Sequence, residues 1–321
     1  MEAELIKWLL AGDVSLQYQV HRDLLGSDPE VLATLQSRII TEGWGALLLS
    51  KQKTDGHWGR GFYQPKWTST HYSLLDLRNL EPPRNLPSAQ EIVLKLLKEE
   101  KSPDGGMNPS PDIPQSDVCL NGMFLNYGTY FQAPEAMLQS VVDFILSQVM
   151  SDGGFNCRKN RSGAVHSSLH STLLVCEGIR EYSFHGYTYR SEELLSAEKK
   201  AQEFILCHKL FLSDRTGDII RPDFLKICYP DRWHYNILHA LDYLRKSELL
   251  WDERLIPALE VLRKKQRADG SWPVQAHHPG QQHFIMEKPG SPSRWNTLRA
   301  LRVLSFFEQA RDHRLDPCPR G

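Results

Sequence analysis

Two kinds of apolar stretch alternate along the chain. In the first kind, such as EIVLKLLKEE (91–100) and AMLQSVVDFILSQ (136–148), apolar residues recur three and four apart with charged residues between them, as on an amphipathic helix with one buried stripe. In the second kind, such as SDVCLNGMFLNYGTYF (116–131) and HSSLHSTLLVCEGI (166–179), apolar residues lie on most faces, which marks a helix buried all round. Outer helices are predicted near 3–11, 29–50, 88–100, 135–149, 192–212 and 252–267, and inner helices over 14–25, 68–80, 116–131, 166–179, 232–244 and 293–307. No stretch shows the β-branched alternation of a strand. Six inner and six outer helices predict an all-α (α/α)6 toroid, a single domain over 1–321.

A recurring phrase punctuates the series. KQKTDGHWG (51–59), KEEKSPDGGMN (98–108), SQVMSDGGFN (147–156) and KKQRADGSWP (264–273) each end an outer helix in Asp-Gly followed by a large residue, and LSDRTGDI (212–219) is an eroded copy. The copies sit roughly 50 to 60 residues apart, within the range of stacked helical repeats. Gly can end a helix at positive φ, Asp can accept from nearby amides, and the following Trp or Phe can pack under the outer helix. The phrase is therefore expected to be a staple and not a carrier of chemistry. The longest irregular segment, 273–292, is long enough to be a functional loop, here a lid over one mouth of the ring.

Composition narrows the partners. A net charge of -1 without a dense Lys/Arg run gives no track for nucleic-acid phosphates, and no motif points to a nucleotide cofactor. The N-terminal MEAELIKWLLAGD is too short and acidic for a membrane span or signal peptide, which leaves peripheral membrane contact open. Cys119, Cys157, Cys176, Cys207, Cys228 and Cys318 have no CxxC spacing, so reduced thiols and a cytoplasmic location are expected.

Gln-x-x-Asp-Gly-x-Trp, at 52–58 and 266–272, resembles the QW repeat of the squalene/oxidosqualene cyclases, whose fold the β subunits of protein prenyltransferases share. The resemblance implies a central cavity opening where the inner helices begin, and an isoprenoid or other apolar small molecule as ligand. It also exposes departures. Of the Asp-x-Asp-Asp acid motif of class II cyclases, the matching stretch Pro114-Gln115-Ser116-Asp117 keeps only the last acid. The position of the prenyltransferase zinc His holds Asn296, and no Asp-Asp-x-x-Asp run exists. A lanthionine-cyclase Cys-His-Gly segment is missing, and the inner-helix starts do not supply the paired carboxylates of a glycosidase.

What remains at the inner-helix starts is a different cluster. Asp117 and Cys119 form an Asp-x-Cys pair, and His166 and His170 lie one turn apart. A thiolate, a carboxylate and an imidazole suit zinc, so Asp117, Cys119 and either His166 or His170 are the expected ligands of a zinc ion; Cys119 reads equally well as packing behind a helix cap. As an enzyme, the chain would use Asp117 as its acid, with His170 or His234 in proton transfer. Trp67, His71, Phe124, Tyr127, Trp233, Tyr235 and Trp295 are expected to line the cavity as aromatic surface, and Arg294 to meet a ligand anion unless it pairs with a carboxylate. The alternative is a non-catalytic lipid-binding or protein-binding toroid. Oligomeric state is not legible.

Overall fold

The computed structural model describes residues 2–110, 113–276 and 278–315; Cys318 lies outside them. In chain order the helices are α1 (Glu2–Leu10), α2 (Val14–Asp23), α3 (Pro29–Arg38), α4 (Gly43–Leu49), α5 (Thr70–Leu80), α6 (Pro87–Glu99) and α7 (Val118–Tyr130). They continue with α8 (Glu135–Ser147), the short α9 (Arg158–Ser162), α10 (Leu169–Phe184), α11 (Ser191–Cys207), α12 (Ile237–Lys246), α13 (Ile256–Lys264) and α14 (Arg294–Leu315). Helices α2, α5, α7, α10, α12 and α14 form the inner layer, and the last packs back on α1 and α2 to close the ring. The all-α toroid is therefore the fold. Among the described residues no helix is long and apolar enough to cross a membrane.

The boundaries shift where local chemistry intervenes. The outer stretch 29–50 breaks into α3 and α4 because the Asp13 carboxylate, which accepts from Ser15 N–H at 2.9 Å to cap α2, also takes the Trp44 N–H at 2.7 Å. The fifth inner helix begins at Ile237 and not at 232. Arg232 has φ 54°, and the Asn236 side chain caps the helix by accepting from His239 N–H.

The Asp-Gly phrase is a staple in all four full copies. Gly56, Gly105, Gly153 and Gly270 take φ of 85°, 86°, 90° and 85°, a region open to glycine at little cost. Trp58 and Trp272 are fully buried and donate their indole N–H to Leu48 O and Leu262 O, both at 2.8 Å, each ten residues back in the preceding outer helix. After each turn a backbone N–H reaches a side chain on the next inner helix. Trp58 donates to Thr70 Oγ1, Met107 to Asn121 Oδ1, Phe155 to Thr172 Oγ1 and Trp272 to Thr297 Oγ1, at 3.1, 2.7, 3.0 and 2.9 Å.

One side of the ring is closed tightly. At Gly122 of α7 a Cβ would stand 2.6 Å from Val175 Cα, and at Gly178 of α10 it would stand 2.3 Å from Gly122 O. These two helices thus meet backbone to backbone. Among the described residues, strand structure is confined to β1 (Trp272–Pro273), paired antiparallel with β2 (Pro292–Ser293). The pair ties off the base of 273–292. That segment lies over the starts of α5 and α12, where Pro279 O accepts from the Trp67 indole at 2.6 Å, Ser73 Oγ meets His283 Nε2 at 2.9 Å, and His278 stacks on His234 with centroids 3.5 Å apart.

The centre of the ring departs from the apolar, aromatic cavity expected of it. Arg78 pairs with Glu181, Arg232 Nη2 lies 3.6 Å from Asp76, and Arg299 Nη2 lies 2.5 Å from Asp231. Arg302 bonds Asp242 and, at 2.7 Å, Asp23; Arg245 Nε reaches the same Asp242 at 3.0 Å. All these side chains except Arg245 are nearly or wholly excluded from solvent. The reason is topological: six inner helices each turn a face inward, and alternating charge lets those faces meet with most groups satisfied.

Candidate functional site

A cavity of about 950 Å³ opens at the mouth of the ring, beside the first turns of α7 and α10. Its inner surface is aromatic and aliphatic, with Tyr63, Tyr72, Met123, Phe204, Phe224 and Trp233. Five cations, Lys66, Arg158, Arg161, Arg215 and Arg221, also line it, against the acids Asp117, Asp152, Glu203 and Asp214. No described residue of 273–292 contributes. The long loop therefore covers a different sector of the mouth.

Asp117 precedes α7 without spending its carboxylate on the cap. Its Oδ2 pairs with Arg161, while Oδ1 is buried with no hydrogen-bond partner. Burial pushes the carboxyl above its usual range, opposed by the Arg161 guanidinium. Such a group holds a proton more readily than a surface carboxylate and can present it to a ligand.

His170 also lines the cavity. Its Nδ1 accepts from Tyr235 N–H at 2.9 Å, which makes Nε2 the protonated nitrogen of the neutral ring. Burial pushes it down to about 4, assisted by Arg221. His234 lies behind, stacked between Trp233 at 3.8 Å and His278 at 3.5 Å, and is held near 3 by burial and by the neighbouring His278. Both imidazoles are neutral at pH 7, so they suit proton acceptance better than donation of positive charge. Lys66 Nζ sits 4.7 Å over Trp67 and 4.6 Å over Trp233, and burial lowers its pKa.

The other expected residues have different places. Cys119 is joined to Cys157 in a disulfide with Cα atoms 6.1 Å apart, which corrects the expectation of reduced thiols for these two residues; Cys176, Cys207 and Cys228 are free. The staple at 147–156 brings Cys157 opposite the first turn of α7, a pairing that 38 residues of separation conceal. His166 lines the cavity with Asp117 and His170, yet among the described residues no group of three His, Cys, Asp or Glu side chains gathers as a metal site. The fit to zinc is poor while Cys119 Sγ is committed to Cys157.

His71, Phe124 and Tyr127 are fully buried beside the cavity and packed on one another, with His71 Nδ1 3.1 Å from the Tyr127 hydroxyl. Tyr235 donates its hydroxyl to Leu210 O, and Trp67 lies under the long loop. Trp295 stacks on Tyr229, with centroids 4.8 Å apart, at a smaller central cavity. Arg294 closes the ring, donating from Nε to Trp8 O at 2.9 Å with its guanidinium 4.7 Å over the Trp8 ring.

The cations of the cavity went unread in the sequence. Arg158, Lys159 and Arg161 fall within four consecutive residues of the loop between the third staple and α10, too short to register as a charge run, yet α9 turns Arg158 and Arg161 toward the cavity.

No known protein family matches the sequence, and no curated protein matches it. In fold the chain is similar to a glycosyl hydrolase of family 88 from Bacteroides vulgatus, 10% identical over 93% of this chain and 90% of that one, with a TM-score of 0.50. It is also similar to the type II terpene cyclase MstE from Scytonema, 14% identical over 87% of this chain and 98% of that one at a TM-score of 0.36. A structure of that cyclase in complex with its product merosterolic acid A gives 14%, 86%, 97% and 0.33. At these identities the likeness concerns the fold alone.

Proposed function

We propose that the chain is a terpenoid-cyclase/prenyltransferase-like enzyme that takes an isoprenoid or similar apolar small molecule bearing an anionic head into the mouth cavity. The observation that carries this reading is the pairing, in one cavity of about 950 Å³, of an aromatic wall with five cations and a buried carboxyl. A hydrocarbon body buries apolar area against Tyr63, Phe204, Phe224 and Trp233, and a phosphate or carboxylate head pairs with Arg158, Arg161 or Arg221. Head-group binding draws Arg161 away from Asp117. The carboxylate, left in a desolvated place, takes up a proton from water and then gives it to an alkene of the ligand, and neutral His170, which lines the same cavity, accepts one as the cation collapses. Aromatic faces stabilise that cation in between.

Incubation with squalene, linear prenyl diphosphates, prenyl carboxylates and a total lipid extract, followed by mass spectrometry of products and of co-purified lipid, tests the reading. A new product that disappears in Asp117→Asn supports the enzyme. Stoichiometric unmodified lipid, displaced in Arg161→Ala, supports the non-catalytic lipid-binding toroid, which rests on the same cavity. Neither product nor bound lipid overturns both.

A further inference from the structure

A second cavity, about 60 Å³ in volume, lies at the centre of the ring. Its lining is charged: Arg78, Arg232, Lys246, Arg299, Arg302 and His239 face Glu81, Glu177, Asp231 and Asp242. His239 counts among the cations because Glu177, 2.9 Å from its Nε2, and Asp231 hold its pKa up to about 9. That is six cations to four carboxylates. The direct ion-pair partners of this lining add Asp23, Asp76 and Glu181 on one side and Arg22 and Arg245 on the other. The cluster then stands at eight positive groups against seven negative ones, one charge from balance.

The surplus has an address. Five residues of the lining each leave a buried polar atom without a hydrogen-bond partner among the described residues: Arg78 Nε, Arg232 Nε, Arg299 Nη1, Trp295 Nε1 and Asn126 Oδ1. Three of the five are guanidinium N–H donors that cannot lose their protons, and the Trp295 indole N–H is a fourth donor. The lining carboxylates are occupied instead, Asp242 by Arg302, Arg299 and Arg245, and Asp231 by Arg299 and Asn236. The Asn126 amide becomes a fifth donor if it turns over, since its oxygen and nitrogen are interchangeable by geometry.

We infer that the ring centre is a binding site for one small monovalent anion, of the size of chloride, bromide or nitrate, held by Arg78, Arg232 and Arg299 with Asn126. Water is the competing occupant, since the space takes several molecules. Water also brings hydrogens that need acceptors, however, and leftover donors predominate here. An anion accepts from all of them and neutralises the unpaired charge, whose burial in a dry interior is costly. Nothing here requires the mouth cavity or its chemistry.

Thermal unfolding in sodium chloride and in sodium gluconate at equal ionic strength tests the site, because gluconate is too large for it. The melting temperature is expected to rise with chloride and then to climb with its logarithm, by about 4 °C at a hundredfold excess over the dissociation constant. Bromide and nitrate should act as chloride does. Asn126→Asp supplies the missing negative charge inside the cavity, so its melting temperature is expected to be the same in both salts. Should that variant fail to fold, crystals of the unaltered protein grown in bromide decide, by an anomalous peak between Arg232 and Arg299. Equal melting in chloride and gluconate with no bromide peak shows a water-filled cavity and overturns the inference.

Discussion

Fully buried His71 and half-buried His170 and His234, beside the mouth of the ring, are neutral, whereas His239 at its centre is buried and charged. His71, His170 and His234 lose their affinity for a proton chiefly through desolvation, and fall to about 3, 4 and 3. His239 experiences the same desolvation, yet Glu177 and Asp231 outweigh it and hold the ring near 9. Burial alone therefore does not set the state of a group in this fold; the neighbouring inner helix does. The mouth sets an aromatic wall beside cations that face an open cavity, while the centre has already brought its charges inside.

The largest separation of the two regions is expected from removing one cation in each. Arg302→Ala strips Asp242 and Asp23 of their shared partner and should cost about 3–5 kcal/mol in urea denaturation. A loss under about 1 kcal/mol would show that the central network contributes no more than a surface pair.

Acid titration comes next. The mouth histidines have folded pKa values below the ordinary 6.5, so in the window beneath 6.5 the unfolded chain binds more protons and stability falls as pH falls. His71, fully buried, supplies about 2 kcal/mol of loss between pH 7 and pH 5. His170 and His234 add in the same direction, lessened by solvent screening. His239 has the opposite sign: its contribution is complete below 6.5 and is lost as pH rises through about 9. Lys246, in the same central cavity and held down to about 8 by burial, opposes that alkaline loss; denaturation at pH 5 and 7 should therefore show the acid loss, and His71→Phe should flatten it.

Smallest in stability is Arg161→Ala at the mouth, where the guanidinium is half exposed; the expected change is below about 1 kcal/mol. Its effect should appear instead as at least a tenfold weaker retention of an anionic lipid, read by isothermal titration. A full-sized stability loss there would mean that Arg161 belongs to the scaffold and not to ligand recognition.

The ring was legible because its signals are local. Period, turn glycines and the Gln-x-x-Asp-Gly-x-Trp phrase each occupy fewer than twelve residues, and the structure repeats one hydrogen-bonding scheme at four of them. The site was less legible because a helix apolar on every face carries no phase. The sequence singles out Asp117, His170 and Trp233, which do line the mouth cavity, but cannot tell them from Phe124, Tyr127 and Tyr235, which fill the wall. At the centre the charges were visible on otherwise apolar helices, as Asp76, Arg78, Asp242, Arg299 and Arg302. Their partners were not. Arg302 meets Asp242 across 60 residues of sequence and Gln19 across 283, distances over which no periodicity speaks.

The four staples carry a further consequence for how such a ring can change. Each pins two points, the turn and the start of the next inner helix, and the span between the pinned residues is 12, 14, 17 and 25 positions in successive copies. Lengthening a loop between fixed ends costs little, since closure entropy grows only with the logarithm of length. Insertions in these spans can therefore reshape the mouth while the barrel beneath stays unaltered. Chain length between fixed anchors becomes the variable by which one scaffold is fitted to ligands of different outline, with the charged centre left as the invariant hub.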